Sequence, residues 1–353
     1  MKKRIFDKVA SLNFRLLTAL MLLILPQIIY TPAFAQGKIE KNKIVVAAGS
    51  TAGFYSLPLT VTNRLGYFKQ AGLDVEILDF PGGTKAAQAL IGGSADVVSG
   101  AYEHAIHLQP KGQILTTFVL MGAYPGLAVG LNPEKAKTYK SPKDLKGLKI
   151  GVTSPGSGTH QLINFLLVKE GLKPEDVSII GVGSGAGAVG AMERGDIDAI
   201  SNIDPVMTQV TNSGRAVIIY DLRTKAGTEA VFGAVVPSAA IYTSEAFIQK
   251  NPNTIQAFTD AMVRGLKWLK QATPEQLALV VPPEWIKVNK DFYLAAFKNQ
   301  REVFSADGFI SIKGAEKQLE IVREYSAEVR AFNVDISRTY TNKFVDSANK
   351  RLN

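Results

Sequence analysis

Residues 176–201, DVSIIGVGSGAGAVGAMERGDIDAIS, repeat residues 74–99, DVEILDFPGGTKAAQALIGGSADVVS, at a shift of 102 positions and without a gap. Nine of the 26 aligned residues are identical, including Asp74/Asp176, Gly83/Gly185, Gly93/Gly195, Asp96/Asp198 and Ser99/Ser201; about two are expected of a random pairing at ordinary residue frequencies. Taken alone, the second copy holds Gly185-x-Gly187-x-x-Gly190 after an apolar run, with Asp204 about 20 residues on, the outline of a dinucleotide fingerprint. The first copy argues against that reading, since PGGTKA at the equivalent place lacks the spacing. The glycines are better explained as a tight strand-to-helix turn used twice.

Working outward, each copy has the same kind of preface: KIVVAAGSTAGFYSLPLTVTNRLGYFKQAGL (43–73) before the first and LKIGVTSPGSGTHQLINFLLVKEGLKPE (148–175) before the second. In both, a β-branched run meets a Gly/Ser/Thr loop, and a helical pattern then closes at Gly-Leu. Each half reads β-α-β-α-β, an alternation that predicts parallel sheets with right-handed crossovers and helices on both faces. The expected fold is α/β and two-lobed, each lobe a parallel-rich sheet flanked by helices. GLAVGLN (126–132) reads as a strand leaving the first lobe and FGAVVPSAAIYTS (232–244) as the one returning. After it, NPNTIQAFTDAMVRGLKWLKQ places Ile255, Phe258, Met262 and Leu266 at helical spacing behind Pro252. The expected division is 42–128 plus 238–353 for lobe 1, with its C-terminal helices over the hinge, and 129–237 for lobe 2.

In open parallel sheets a ligand sits beyond the carboxyl ends of the strands, where helix N-termini offer unpaired N–H groups and partial positive charge. In lobe 1 the loop 48–55 offers the hydroxyls of Ser50 and Thr51 and the rings of Phe54 and Tyr55. Gly82 and Gly83 offer bare backbone, and Tyr102 and Glu103 follow the third strand. In lobe 2, Thr153–Thr159 is rich in hydroxyls, with Ser157, Gly158 and Thr159 opening a helix, and Asn202 and Asp204 complete the rim. No arginine falls in these loops, and Lys85 is their one cation. An anion would therefore be held by backbone and hydroxyl donors. Glu103, a carboxylate among donors, favours a ligand that also carries a cation or N–H groups. Tyr124 joins Phe54, Tyr55 and Tyr102 as aromatic candidates for the ligand body.

DLKGLKIGVTSPGSGTH, EGLKPEDVSII and AMERGDIDAISNIDP, preceded by GYFKQAGLDVEIL and ALIGGSADVVSG, together resemble the nitrate/sulfonate/taurine group of periplasmic substrate-binding proteins of ABC importers. That group in turn resembles the pyrimidine-precursor-binding proteins of thiamine supply. The resemblance implies a monomeric clamp that closes on a small organic anion, such as a sulfonate, taurine or a carboxylate, and delivers it to a membrane permease. A thiamine pyrimidine precursor or other N-heterocycle is the alternative. It places the ligand loops on Ser50, Thr51, Gly82, Gly83, Tyr102, Glu103, Ser157 to Thr159 and Asn202 to Asp204, and implies no cofactor and no catalysis. A pyrimidine synthase of the related fold would need a cysteine-rich iron site, and the 353-residue chain has no cysteine.

The chain's start fits export. A basic stretch, MKKRIFDKVASLNFR, precedes the apolar LLTALMLLILPQII and the sequence TPAFA, where Ala33 and Ala35 supply a signal-peptidase site. Residues 1–35 are expected to be a cleaved signal peptide and the mature protein periplasmic. Removing five Lys/Arg and one Asp with this leader lowers the formal charge from +9 to +5. The remaining basic residues are scattered rather than striped, so nucleic acid is not an expected partner. Glu103-His104-x-x-His107 is not the order of a zinc protease. With His160 the only other histidine, the pair reads as ordinary helical residues behind a first-turn acid, and no metal is expected.

Overall fold

A computed structural model describes residues 37–287 and 290–352; the expected signal peptide lies outside them. The strands are β1 Lys43–Gly49, β2 Asp74–Phe80, β3 Val97–Ala101, β4 Leu115–Leu120, β5 Leu127–Leu131, β6 Lys149–Val152, β7 Ser178–Gly181, β8 Ala199–Ile203, β9 Val217–Asp221 and β10 Ala239–Ser244. The longer helices are α1 Leu57–Arg64, α2 Gly83–Ile91, α3 Gly158–Lys169, α4 Ala186–Arg194, α5 Lys225–Phe232, α6 Pro252–Gln271, α7 Lys290–Gln300, α8 Ile312–Tyr325 and α9 Lys343–Leu352.

The strands form two five-stranded sheets, ordered β2-β1-β3-β10-β4 and β7-β6-β8-β5-β9. The repeat is visible in both. β3 and β8 start 102 residues apart, as do β4 and β9, so the duplicated unit runs past the stretch where identity is evident. In each sheet the fourth position is filled by a strand from outside the repeat, β10 in the first and β5 in the second. Parallel pairing holds for β1 with β2 and β3, and for β6 with β7 and β8. The inserted strands run antiparallel to both neighbours. The sheets are therefore mixed rather than purely parallel, because a strand arriving from the other sheet enters from the opposite end.

Burial follows cover rather than position alone, since the edge strand β4 is buried throughout, with Thr117 bridged to Tyr340. β3 and β5, covered on both faces, are buried at every residue, while the edge strand β2 alternates between exposed and half-buried positions. Under the first sheet, the stripe Ile255, Phe258, Met262 and Leu266 of α6 packs on Val46, Phe118 and Ile241. Under the second, Leu162, Ile163 and Leu166 of α3 pack on Val129, Ile150 and Val152. The C-terminal helices reach both. From α8, Ile321 joins the second core while Leu319 and Val322 join Tyr102 and Leu120 beside the first. α7 packs Tyr293 and Phe297 against Phe54. Among the described residues no helix is long and apolar enough to cross a membrane.

Candidate functional site

The loops at the carboxyl ends of the two sheets meet. Gly82, ahead of α2, lies so close to the loop ahead of α3 that a Cβ on it would stand 2.4 Å from Ser154 Oγ. A Cβ on Gly156 would stand 3.2 Å from Thr84 Oγ1, and the Phe54 N–H donates to the Asp204 carbonyl at 2.9 Å. Two adjoining cavities lie between these loops, and Tyr55, Ala101, Leu127 and Gly158 line both. Among the described residues no Lys or Arg lines either one.

The two cavities differ in chemistry. One is bounded by the N-terminal ends of α2 and α3 through Gly83, Ser157, Gly158 and Thr159, and by His104. Neither helix start is capped by a side chain, which leaves its first N–H groups open to a ligand. The hydroxyls of Thr153, Ser157 and Thr159 bond one another at 2.7–2.9 Å. His104 is 5% exposed; its Nδ1 pairs with the Tyr242 hydroxyl at 2.8 Å, and its Nε2 has no partner among the described residues. Ser154 Oγ and Thr84 Oγ1 are likewise buried without a partner. Burial lowers the His104 pKa to about 4, so near neutrality the ring is uncharged and acts as a dipole.

The second cavity holds Glu103 beside Tyr325, Phe165, Phe232 and Gln318. Phe165 and Phe232 meet edge to face, with centroids 4.9 Å apart. Glu103 Oε1 is buried and unpartnered, while Oε2 accepts one long bond, 3.4 Å, from Gln318 Nε2. Burial raises this carboxyl to about 7, because removal from water penalises the charged form. Tyr55 crosses between the cavities and bonds Ser238 Oγ through its hydroxyl at 2.9 Å.

Of the residues singled out in the sequence, Tyr55, Gly83, Tyr102, Glu103, Ser157, Gly158 and Thr159 line these cavities, although the Tyr102 hydroxyl is taken by Thr339 at 2.6 Å. The others line neither. Ser50 adopts φ +76 and donates its N–H to the Phe80 carbonyl, and the Thr51 N–H donates to Asp79 at 2.7 Å. Phe54, 3% exposed, stacks edge to face on Tyr293, and Gly82 makes the approach to Ser154. Asn202 donates to the Gly183 carbonyl at 2.9 Å, fastening the loop after β7.

Asp204 faces a third, polar cavity rather than the cleft. It is 1% exposed and accepts from the Thr208 N–H at 2.7 Å, from Arg223 at 3.4 Å and from Gln300 on α7. Arg223 is held by Asp221 through paired bonds of 2.8 and 2.7 Å.

Several cavity residues escaped the sequence reading. His104 stood in plain view in EHAIH, but its role depends on Tyr242, 138 residues away. Gln318 and Tyr325 come from α8, whose return over the cleft no local pattern announces. The other two histidines have separate places. His107 Nε2 pairs with the Tyr325 hydroxyl at 3.1 Å, and His160 Nδ1 accepts from the Gly156 N–H at 2.8 Å.

Two α/β sheets that trade a strand and close their loops over a shared cleft have the two-lobed fold found in periplasmic binding proteins. Within that fold the chain belongs to the NMT1/THI5-like family, whose model matches residues 53–276. A solved protein from Bordetella bronchiseptica RB50 is 45% identical, with a TM-score of 0.86 over 90% of this chain and 99% of that one. The alkanesulfonate-binding protein SsuA of Xanthomonas axonopodis pv. citri, solved with MOPS, is 18% identical (TM-score 0.65; 86% and 99% covered). The periplasmic nitrate-binding protein NrtA of Synechocystis PCC 6803 is 16% identical (TM-score 0.69; 90% of each chain). Both share the fold with this chain. By sequence, YtlA of Bacillus subtilis, which carries the name of a binding protein, is 22% identical over 84% of this chain and 88% of its own. The 4-amino-5-hydroxymethyl-2-methylpyrimidine phosphate synthase of Schizosaccharomyces pombe is 29% identical over 64% of each.

Proposed function

We propose that this protein is the solute-binding component of an ABC importer and captures a small organic anion, a sulfonate or carboxylate, between two lobes formed by residues 42–128 with 238–353 and by 129–237. The observation that carries the reading is the convergence of two uncapped helix N-termini, one from each sheet, on one cavity with the buried and unpartnered His104 Nε2. Neutral dipoles of this kind suit an anion whose charge is spread over several oxygens, and they hold it without the desolvation cost of a buried cation. Closure follows from contacts that both lobes make to one solute. The protein works in the periplasm as a monomer after removal of residues 1–35, binds without turnover and passes its solute to a membrane permease.

A second reading, a thiamine pyrimidine precursor or other N-heterocycle, is favoured by Glu103 and the aromatic wall beside it, and by the pyrimidine chemistry named in one relative. Calorimetric titration of the purified protein with alkane- and arylsulfonates, carboxylates, nitrate and aminopyrimidines separates the two. A micromolar or tighter constant for a sulfonate or carboxylate, weakened at least tenfold by His104→Phe, is expected. Binding of aminopyrimidines alone would replace the first reading by the second.

A further inference from the structure

Resting on the organic-anion reading, we infer that the solute is bipolar: its anionic group sits against His104 and the starts of α2 and α3, and a hydrogen-bond donor at its other end, an ammonium or N–H edge, sits against Glu103. The two residues are consecutive, yet they serve different cavities. Glu103 lines one and His104 the other, with Tyr55, Ala101, Leu127 and Gly158 common to both. Each presents a buried polar atom without a partner among the described residues, Oε1 on Glu103 and Nε2 on His104.

These atoms ask for opposite things. The first cavity offers donors, the N–H groups of two helix starts together with the ring of His104. In the second, the Glu103 carboxylate accepts one long bond, from Gln318, and among the described residues no lysine or arginine lines the wall to neutralise it. The groups around Glu103 are the uncharged rings of Tyr55, Tyr325, Phe165 and Phe232. A solute that was an anion and nothing more would occupy the first cavity and leave Glu103 either ionised beside it, with like charges in one dry cleft, or protonated with Oε1 still unpaired. A donor on the far end of the solute removes both penalties and fixes its orientation. A Cβ on Gly158 would stand 3.3 Å from Glu103 Oε1, so the shared wall is narrow at that point and the two ends are bridged by a slim or flat body.

The test uses pairs of anions that differ only by an amine: taurine and ethanesulfonate, β-alanine and propionate, 4-aminobenzenesulfonate and benzenesulfonate. Each is titrated into the purified protein and into Glu103→Gln, with the melting temperature of the variant measured alongside. In at least one pair the amine-bearing member is expected to bind the native protein ten times more tightly or better, and Glu103→Gln is expected to erase that preference while sparing the amine-free partner. Equal binding within every pair that binds overturns the inference and leaves the anion reading standing; Glu103 is then only a counter-anion for the start of α3. A preference that survives Glu103→Gln overturns it as well. If no member of any pair binds, the anion reading falls with it. Equal binding on the native protein overturns the inference even if Glu103→Gln does not fold, and in that case Glu103→Asp replaces it, with the amine preference expected to fall at least threefold.

Discussion

Glu103 and His104 carry opposite linkages to pH because burial disfavours the charged form of each. The Glu103 carboxyl rises from an ordinary 4.5 to about 7. Between those values the folded protein keeps a proton that the unfolded chain has lost, so stability falls as pH rises through this window and stays lower above it. Glu103→Gln is expected to stabilise the ligand-free protein at pH 8 by about 1–3 kcal/mol and to have little effect at pH 5, as read by urea denaturation at both values. His104, lowered from 6.5 to about 4, contributes in the other sense: its share of stability is present above 6.5 and is lost as pH falls toward 4. Glu103 was legible in the sequence as a lone acid among donor-rich loops. His104 was not, since two histidines at i, i+3 describe any helical turn and its partner Tyr242 lies on the exchanged strand β10.

At the scale of elements, two glycines one loop apart separate the stability of a lobe from the closure of the cleft. A Cβ on Gly49 would stand 2.5 Å from the backbone nitrogen of Gly83 in the same sheet's loops, whereas the three atoms nearest a Cβ on Gly82 all belong to Ser154, from the other sheet. Gly49→Ala is expected to cost about 1–3 kcal/mol of stability, as overpacked sites do. Gly82→Ala leaves the melting temperature within a few degrees but weakens solute binding about tenfold or more, because opening the cleft relieves the clash. Differential scanning calorimetry and titration of both variants check this, and an equal loss of stability would place the Gly82 contact within the fold rather than across the cleft. The loops themselves were legible, since Gly, Ser and Thr runs between strand and helix patterns mark them. Their detailed use was not: the hydroxyls of Thr153, Ser157 and Thr159 turn on one another, and Phe54 turns into the α7 contact, because those choices depend on neighbours distant in sequence.

Across the whole molecule, Asp204 ties the second sheet to the C-terminal helices. Its carbonyl accepts from Phe54 and its carboxylate from Gln300 on α7, from Thr208 and from Arg223. An acid this enclosed serves the join between parts more than it serves a solute. Asp204→Asn is expected to lower stability by about 2–4 kcal/mol, since it leaves a half-buried guanidinium short of a charged partner, while solute affinity stays within a few-fold. Chemical denaturation and titration decide it: lost affinity with intact stability would return Asp204 to the cleft. The sequence placed helices after residue 252 over the hinge but not the residues they bring to the cleft, and those matter, because α8 supplies both Gln318 and Tyr325 to the Glu103 cavity.

The 102-residue repeat, its strand and helix periodicities and its glycine turns are local patterns, and from them alone the α/β class, the two sheets and the loops at their carboxyl ends could be read. Tertiary structure decided the antiparallel entry of β5 and β10, the passage of α8 over the cleft, and which side of it each of two adjacent residues serves. The reason is physical. Periodicity is set by backbone geometry within a few residues, whereas the direction a buried polar side chain takes is set by whatever partner the rest of the chain brings to it.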